Sequence, residues 1–325
     1  MYDNDFCCGN EGPIIETNII YEQKSFVDTE KMKVTQWSEH DGRYAAVSNT
    51  VATIPSGYYS IGFNNEMGVH FVKEEPKLNK LYRLPNEASD IILNDIDKFW
   101  TLEDVYKKYE RVFKRNYLIY SEPGTGKTSL INLMCQDLIN KYEGIVLSIN
   151  TPREIELFID AIKLLRKVEP NRKVIVIIED IDSYCDYNNR FNSELLNILD
   201  GNLKVDNMVT IATTNYIDRL EARYTNRPSR FDRVIEFPIP NEDCRKMFIE
   251  QTVKPEDLHK IDINKWVEKT DGFTIDHINE LILLYFVFGH DEDEAITMID
   301  KMVKNNSNLH NECSKNKNHK IGFND

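Results

Sequence analysis

The sequence predicts an α/β fold, a parallel sheet covered by helices, with a small β-rich unit before it and a small all-helical unit after it. Two observations carry this expectation. Between residues 117 and 237, short apolar runs alternate with stretches of helical periodicity, the pattern of a parallel sheet buried on both faces. Within that region a glycine-rich turn joins one apolar run to a helix, and a later apolar run ends in a row of acids.

Taken in order, residues 34 to 72 read as short strands. Tyr58 to Phe63 and Val69 to Val72 alternate apolar and polar positions around Asn64, Asn65 and Gly68, as a hairpin would. The charged, proline-bearing segment 73 to 90 reads as a connector, which puts a domain boundary near residue 88. Leu102, Val105, Tyr106, Tyr109, Val112 and Phe113 recur at spacings of three and four and predict one helix. Strands are expected at 117–120, 145–149, 174–179, 209–214 and 234–237, with helices from about 127, over 152–167 and near 191–199. Phe158 falls in step with Ile155, Ile159 and Ile162, so it is expected in a helix core. After residue 241 only helical patterns occur, around 243–253, 257–269, 274–288 and 292–304. The expected organisation is therefore a β-rich unit at 1–88, an α/β core at 89–240, a helical lid at 241–304 and a disordered polar tail at 305–325.

Composition narrows the class. The 325 residues carry 40 Lys and Arg against 54 Asp and Glu, a formal charge of −14, which on average repels nucleic-acid backbones and anionic membrane surfaces. No run approaches the ~18 apolar residues of a spanning helix. The six cysteines are scattered through a chain large enough to fold without them, so reduced thiols and a cytoplasmic location are expected. Neither Cys7 with Cys8 nor His310, Cys313 and His319 has the paired spacing of a zinc site.

The chemistry concentrates in four segments. SEPGTGKTS at 121–129 follows an apolar strand and opens a helix. Gly124 and Gly126 let a loop wrap phosphates with backbone N–H groups, and the helix N-terminus favours the anion. Pro123, Gly124, Thr125, Gly126, Lys127, Thr128 and Ser129 are the expected binding residues, with Lys127 on the β- and γ-phosphates and the Thr128 hydroxyl on Mg²⁺. The motif departs from its usual form at Ser121, where a glycine normally stands. About fifty residues later VIVIIEDID runs into acids. Glu179 is assigned to the Mg²⁺ shell, Asp180 to the attacking water and Asp182 to a supporting position; the first two roles are interchangeable on sequence grounds. Asn215, at the end of VTIATT, can hydrogen-bond a terminal phosphate or the lytic water. Arg227 and Arg230 in RPSRFDR offer guanidinium groups suited to phosphoryl oxygens.

The succession PGTGKT, IIEDID, TIATTN, RPSRFDRVIEFPIP and a helical module with TDGFTIDHINELI resembles the AAA branch of the AAA+ ATPases, over about residues 90 to 304. KRNYLIYSEPGTGKTS, the EDID order and NSELLNILDG are similar to the Bcs-type AAA domain of the mitochondrial translocase that inserts the Rieske protein, and to plant membrane-associated AAA proteins. The resemblance implies a P-loop core hydrolysing Mg-ATP within a homo-oligomeric ring of six or seven subunits that remodels or moves a protein substrate. It also implies that Arg227 and Arg230 reach the neighbouring subunit's ATP and that Asn215 acts as a sensor of the terminal phosphate.

Two features depart from that pattern. Residues 1–88 resemble no AAA partner domain and are expected to lack the membrane anchor found in that translocase. The segment 148–162 lacks the aromatic–apolar–Gly element with which many AAA unfoldases thread peptides. Residues 274–277 hold no phosphate-contacting Arg, in agreement with the AAA branch. Two other readings stand beside the motor: a nucleotide-gated assembly scaffold with feeble hydrolysis, and a DNA-associated AAA+ loader, which the acidic charge disfavours.

Overall fold

The computed structural model describes residues 36–40, 43–47, 50–75, 87–184, 190–200, 205–220, 224 and 230–316. The chain divides into two compact units, residues 1–54 and 55–325. In the first, β1 (Gln36–His40) pairs antiparallel with β2 (Arg43–Val47).

The second unit is built on a seven-stranded sheet. Its strands are β3 (Gly57–Asn64), β4 (Gly68–Glu74), β5 (Lys114–Tyr120), β6 (Ile145–Ile149), β7 (Val174–Ile178), β8 (Met208–Thr214) and β9 (Arg233–Glu236). They lie in the order β4-β3-β6-β7-β8-β5-β9. All neighbouring pairs are parallel except β3 with β4. Every residue of β7 and β8 is buried, which explains their unbroken Val/Ile/Thr runs, since a central parallel strand is covered on both faces.

The hairpin of β3 and β4 is a correction to the expected boundary near residue 88. Gly57, Tyr58 and Tyr59 pair in parallel with Ile145, Val146 and Leu147, and Tyr58, Tyr59 and Ile61 are buried. The hairpin thus extends the main sheet and leaves β4 as its edge. Hairpin periodicity reports which face is apolar but not which edge the strand joins, so sequence spacing could not place it.

The helices are α1 (Glu87–Phe99), α2 (Glu103–Lys108), α3 (Lys127–Tyr142), α4 (Pro152–Val168) and α5 (Arg190–Leu199). The expected connector at 73–90 gives way to α1 at Glu87. The single helix expected over 102–113 stops at Lys108, because Glu110 takes a left-handed φ of 53°. Phe113 beyond it stacks on Phe99 with ring centroids 4.3 Å apart and closes an aromatic group with Trp100 and Tyr106. Pro152 stands in the first turn of α4, and Thr151 and Glu154 cap that turn reciprocally, a strong local start signal. Phe158 is fully buried in α4, as its periodicity predicts.

The lid consists of α6 (Glu242–Thr252), α7 (Ile263–Lys269), α8 (Ile275–Phe286) and α9 (Glu292–Asn316). Its own apolar core includes Phe248, Trp266, Phe273, Ile278, Leu281 and Ile299. The region expected as one helix over 257–269 divides into a 3₁₀ turn at Leu258–Lys260 and α7. The helix expected to end near 304 runs to Asn316, because no glycine or proline interrupts it; this replaces the expected disorder from residue 305 to 316. Residues 317–325, with His319, lie outside the described residues, as do Cys7 and Cys8. No helix among the described residues is long and apolar enough to cross a membrane.

Candidate active site

Parallel pairing brings the motifs together. Tyr120, the last residue of β5, pairs with Thr214 at the end of β8. Ile178, the last residue of β7, pairs with Ala212 of the same strand. The residues that follow these strands therefore emerge at one edge of the sheet: Ser121, Glu179 and Asn215. Ligand crevices of open parallel sheets lie at that C-terminal edge. A cleft of about 340 Å³ opens there, lined by residues 123 to 129 together with Glu179, Asp180, Thr213, Asn215 and Asp276. All the loop residues singled out from sequence line it.

The loop's two glycines have different reasons. Gly126 has φ 105° and forms the N-cap of α3 with no side-chain cap, so the helix enters the cleft with its first turn unobstructed. Gly124 has φ 78°, and a Cβ there would lie 2.9 Å from Asp276 Cβ and Oδ2 and from Thr274 Oγ1. It is held by conformation and by the lid pressed against it. The Asp276 N–H donates to the Gly124 carbonyl over 3.1 Å.

Lys127 is only 9% exposed. Its Nζ donates to Ser121 Oγ (2.6 Å), Asn215 Oδ1 (2.7 Å), Glu122 O (3.1 Å) and Ser121 O (3.2 Å). All four acceptors are neutral oxygens, and among the described residues the ammonium has no ion-pair partner. Burial pushes its pKa below the ordinary lysine value, while the charges of Asp180, Asp276 and Glu179 act in the opposite direction. A buried cation without a paired carboxylate is costly unless an anion completes the site. The arrangement suits a phosphate ligand.

Around this ammonium, Thr128 Oγ1 donates to Glu179 Oε1 over 3.0 Å. Asn215 Nδ2 donates to Asp180 Oδ1 over 3.2 Å, while the Asp180 N–H donates to Thr213 Oγ1 over 3.3 Å. Asp180 has φ 49°, a left-handed turn that an Asp tolerates and that swings it out of line with β7. The structure thus separates the two acids, Glu179 beside the loop threonine and Asp180 beside the amide. A hydroxyl and a carboxylate fit Mg²⁺, which is held by one or two protein carboxylates together with phosphate oxygens. Among the described residues no cluster of three or more His, Cys, Asp or Glu could hold a metal.

Of the described residues singled out from sequence, Asp182 and Arg230 do not line this cleft. Asp182 turns away from the cleft, accepting from Thr214 Oγ1 (2.6 Å) and lying 3.9 Å from Arg219, so it braces the end of β8. Arg230 is 4% exposed and grips Asp200 through Nε (2.7 Å) and Nη2 (2.9 Å). That bidentate pair occupies the guanidinium within its own subunit, because Asp200 follows α5 directly and meets the turn before β9; RPSRFDR by itself does not reveal this partner. Arg227 lies outside the described residues. Sequence reasoning also missed Thr213 and Asp276 as cleft residues. Thr213 was hidden inside an apolar strand, and Asp276 had one available signal, its place in TIDH at the start of α8.

Residues 117–239 match the model of the ATPase family associated with various cellular activities (AAA). Protein HYPER-SENSITIVITY-RELATED 4 of Arabidopsis thaliana is 30% identical over 182 residues, covering 49% of this chain and 30% of that protein. AAA-ATPase At5g17760 of the same plant is 29% identical over 181 residues, covering 50% and 34%. The 26S protease regulatory subunit 6A of Caenorhabditis elegans is 30% identical over 178 residues, covering 49% and 40%. The chain spans about a third of the length of the curated relatives it matches. The matched segment begins within β5, runs through β9 and, Asp276 apart, supplies the whole lining of the cleft, so the similarity to the AAA family falls on the site itself.

Proposed function

We propose that this protein is a Mg-dependent ATPase whose hydrolysis drives remodelling or translocation of a protein substrate by a homo-oligomeric ring. The observation that carries the catalytic part is Lys127, buried with only neutral acceptors at the mouth of a cleft that also holds Glu179, Asp180 and Asn215. On binding, the Lys127 ammonium exchanges Ser121 and Asn215 for phosphate oxygens. Thr128 and Glu179 would hold Mg²⁺, which would supply neutralisation of phosphate charge. Asp180 takes a proton from the attacking water while its Oδ1 stays held by Asn215. The water oxygen bonds to the terminal phosphorus, the bond to the β-phosphate bridge breaks, and ADP leaves. Arg227 is proposed as the residue that enters the neighbouring subunit's site.

Lys127→Ala is expected to abolish nucleotide binding and turnover. Asp180→Asn is expected to keep binding and lower kcat by about 100-fold or more, since a positioned general base contributes 10²–10⁴-fold. Full phosphate release in both variants would refute the assignment. The protein-substrate part rests on relatives whose names include a protease regulatory subunit. A pull-down with Asp180→Asn, which retains ATP, tests it. The scaffold reading is favoured by one contact, Ser121 Oγ on Lys127 at 2.6 Å, and a measured turnover separates it from the motor.

A further inference from the structure

Asp276 is the third carboxylate in the cleft and the one without an evident task. It comes from the lid rather than from the sheet. Glu179 and Asp180 each receive a hydrogen bond from a cleft side chain. Among the described residues, nothing donates to the Asp276 carboxylate. Yet its position is defined, because its own N–H is bonded to the Gly124 carbonyl and its Oδ2 packs against Gly124, 2.9 Å from where a Cβ on that residue would lie. The lid therefore delivers a negative charge onto the loop that receives phosphates, opposite in sign to what an anion site ordinarily presents.

We propose that Asp276 is a specificity-determining residue that sets the cleft against phosphate charge, weakening binding of ATP more than that of ADP. This rests on the proposed function, since it assumes that the cleft takes a nucleotide. The repulsion acts through the water-accessible mouth of the cleft, so it is moderate and screened by salt. It also couples the nucleotide to the lid. The backbone bond from Asp276 to Gly124 docks α8 on the loop, and a more highly charged ligand pushes that same residue away.

The test is equilibrium binding of fluorescent ATP and ADP, with Mg²⁺, to the full chain at low salt and at 1 M salt, where the screening length is about 3 Å. Asp276→Asn keeps the backbone bond and the shape and removes the charge. It should bind ATP about three- to tenfold tighter, with a smaller gain for ADP and a gain that shrinks at 1 M salt. Asp276→Glu should stay near the unmodified protein. Should Asp276→Asn fold poorly by its melting curve, Asp276→Ser serves the same comparison. Equal affinities, an equal gain for both nucleotides at every salt concentration, or weaker binding, as for a carboxylate that accepts a ribose hydroxyl, would overturn the proposal. A folded, unmodified protein that binds neither nucleotide overturns the ATPase reading itself, a distinct outcome.

Discussion

Ser121 stands where phosphate loops usually begin with glycine, and its hydroxyl is tied into the loop. It touches Lys127 Nζ and Thr125 Oγ1 at 2.6 Å each and donates to the Glu122 carbonyl over 2.9 Å. The serine therefore helps satisfy a buried ammonium rather than leaving a gap. Ser121→Ala is expected to lose about 1 kcal/mol of stability without nucleotide, a drop of about 2–4 °C in Tm for a unit of this size. In saturating Mg-ATP the loss should narrow, since the lysine then faces phosphate. Scanning fluorimetry with and without Mg-ATP measures both. The identity of these loop residues was legible in the sequence, because turn, ammonium and hydroxyl are adjacent in the chain. The Lys127–Asn215 contact was not, since 88 residues separate the two.

At the scale of elements, the start of α8 carries a pH-sensitive cap. Thr274 Oγ1 accepts from the His277 N–H, and the Thr274 N–H donates to His277 Nδ1 over 3.2 Å. That second bond needs an unprotonated Nδ1. Burial lowers the pKa of His277 below 6.5, opposed by Asp276 and Glu122. The folded protein thus binds this proton less readily than the unfolded chain, so the cap's contribution is complete above pH 6.5 and is lost as pH falls through the lower folded value. Melting temperature measured from pH 7.5 to 5 should fall more steeply in the unmodified protein than in His277→Gln, whose amide caps without titrating. Element identity was largely readable: Val174–Ile178 and Ile145–Ile149 announce strands by composition, and Pro152 marks a helix start. The α1 helix was not, because charged and proline-bearing neighbours at 73–86 masked an apolar face that joins a core with Phe113, α3 and the sheet.

For the whole molecule, the fate of Arg230 decides how subunits could share a site. Its bidentate grip on Asp200, with Arg230 at 4% exposure, makes it a brace between α5 and the approach to β9. Removing one partner of a buried pair is strongly destabilising. Arg230→Ala should therefore lose about 3 kcal/mol in urea unfolding and lower the activity of its own subunit. Arg227→Ala should instead leave the unfolding midpoint in place and, when mixed with unmodified subunits, depress their ATPase rate below simple dilution. An unchanged midpoint for Arg230→Ala, with the mixing effect transferred to it, would return the trans role to Arg230.

The chain by itself determined the order of the parts and the chemistry each can offer, since a phosphate loop, an acid-terminated strand and an amide-terminated strand are written in contiguous residues with local periodicity. Only the tertiary structure decided which parts meet. Parallel pairing set Glu179, Asp180 and Asn215 beside Lys127, the edge of β6 captured the β3–β4 hairpin, Asp200 claimed Arg230, and the lid placed Asp276 on Gly124. Each of these is a contact between residues far apart in sequence, fixed by burial and register that no local pattern encodes.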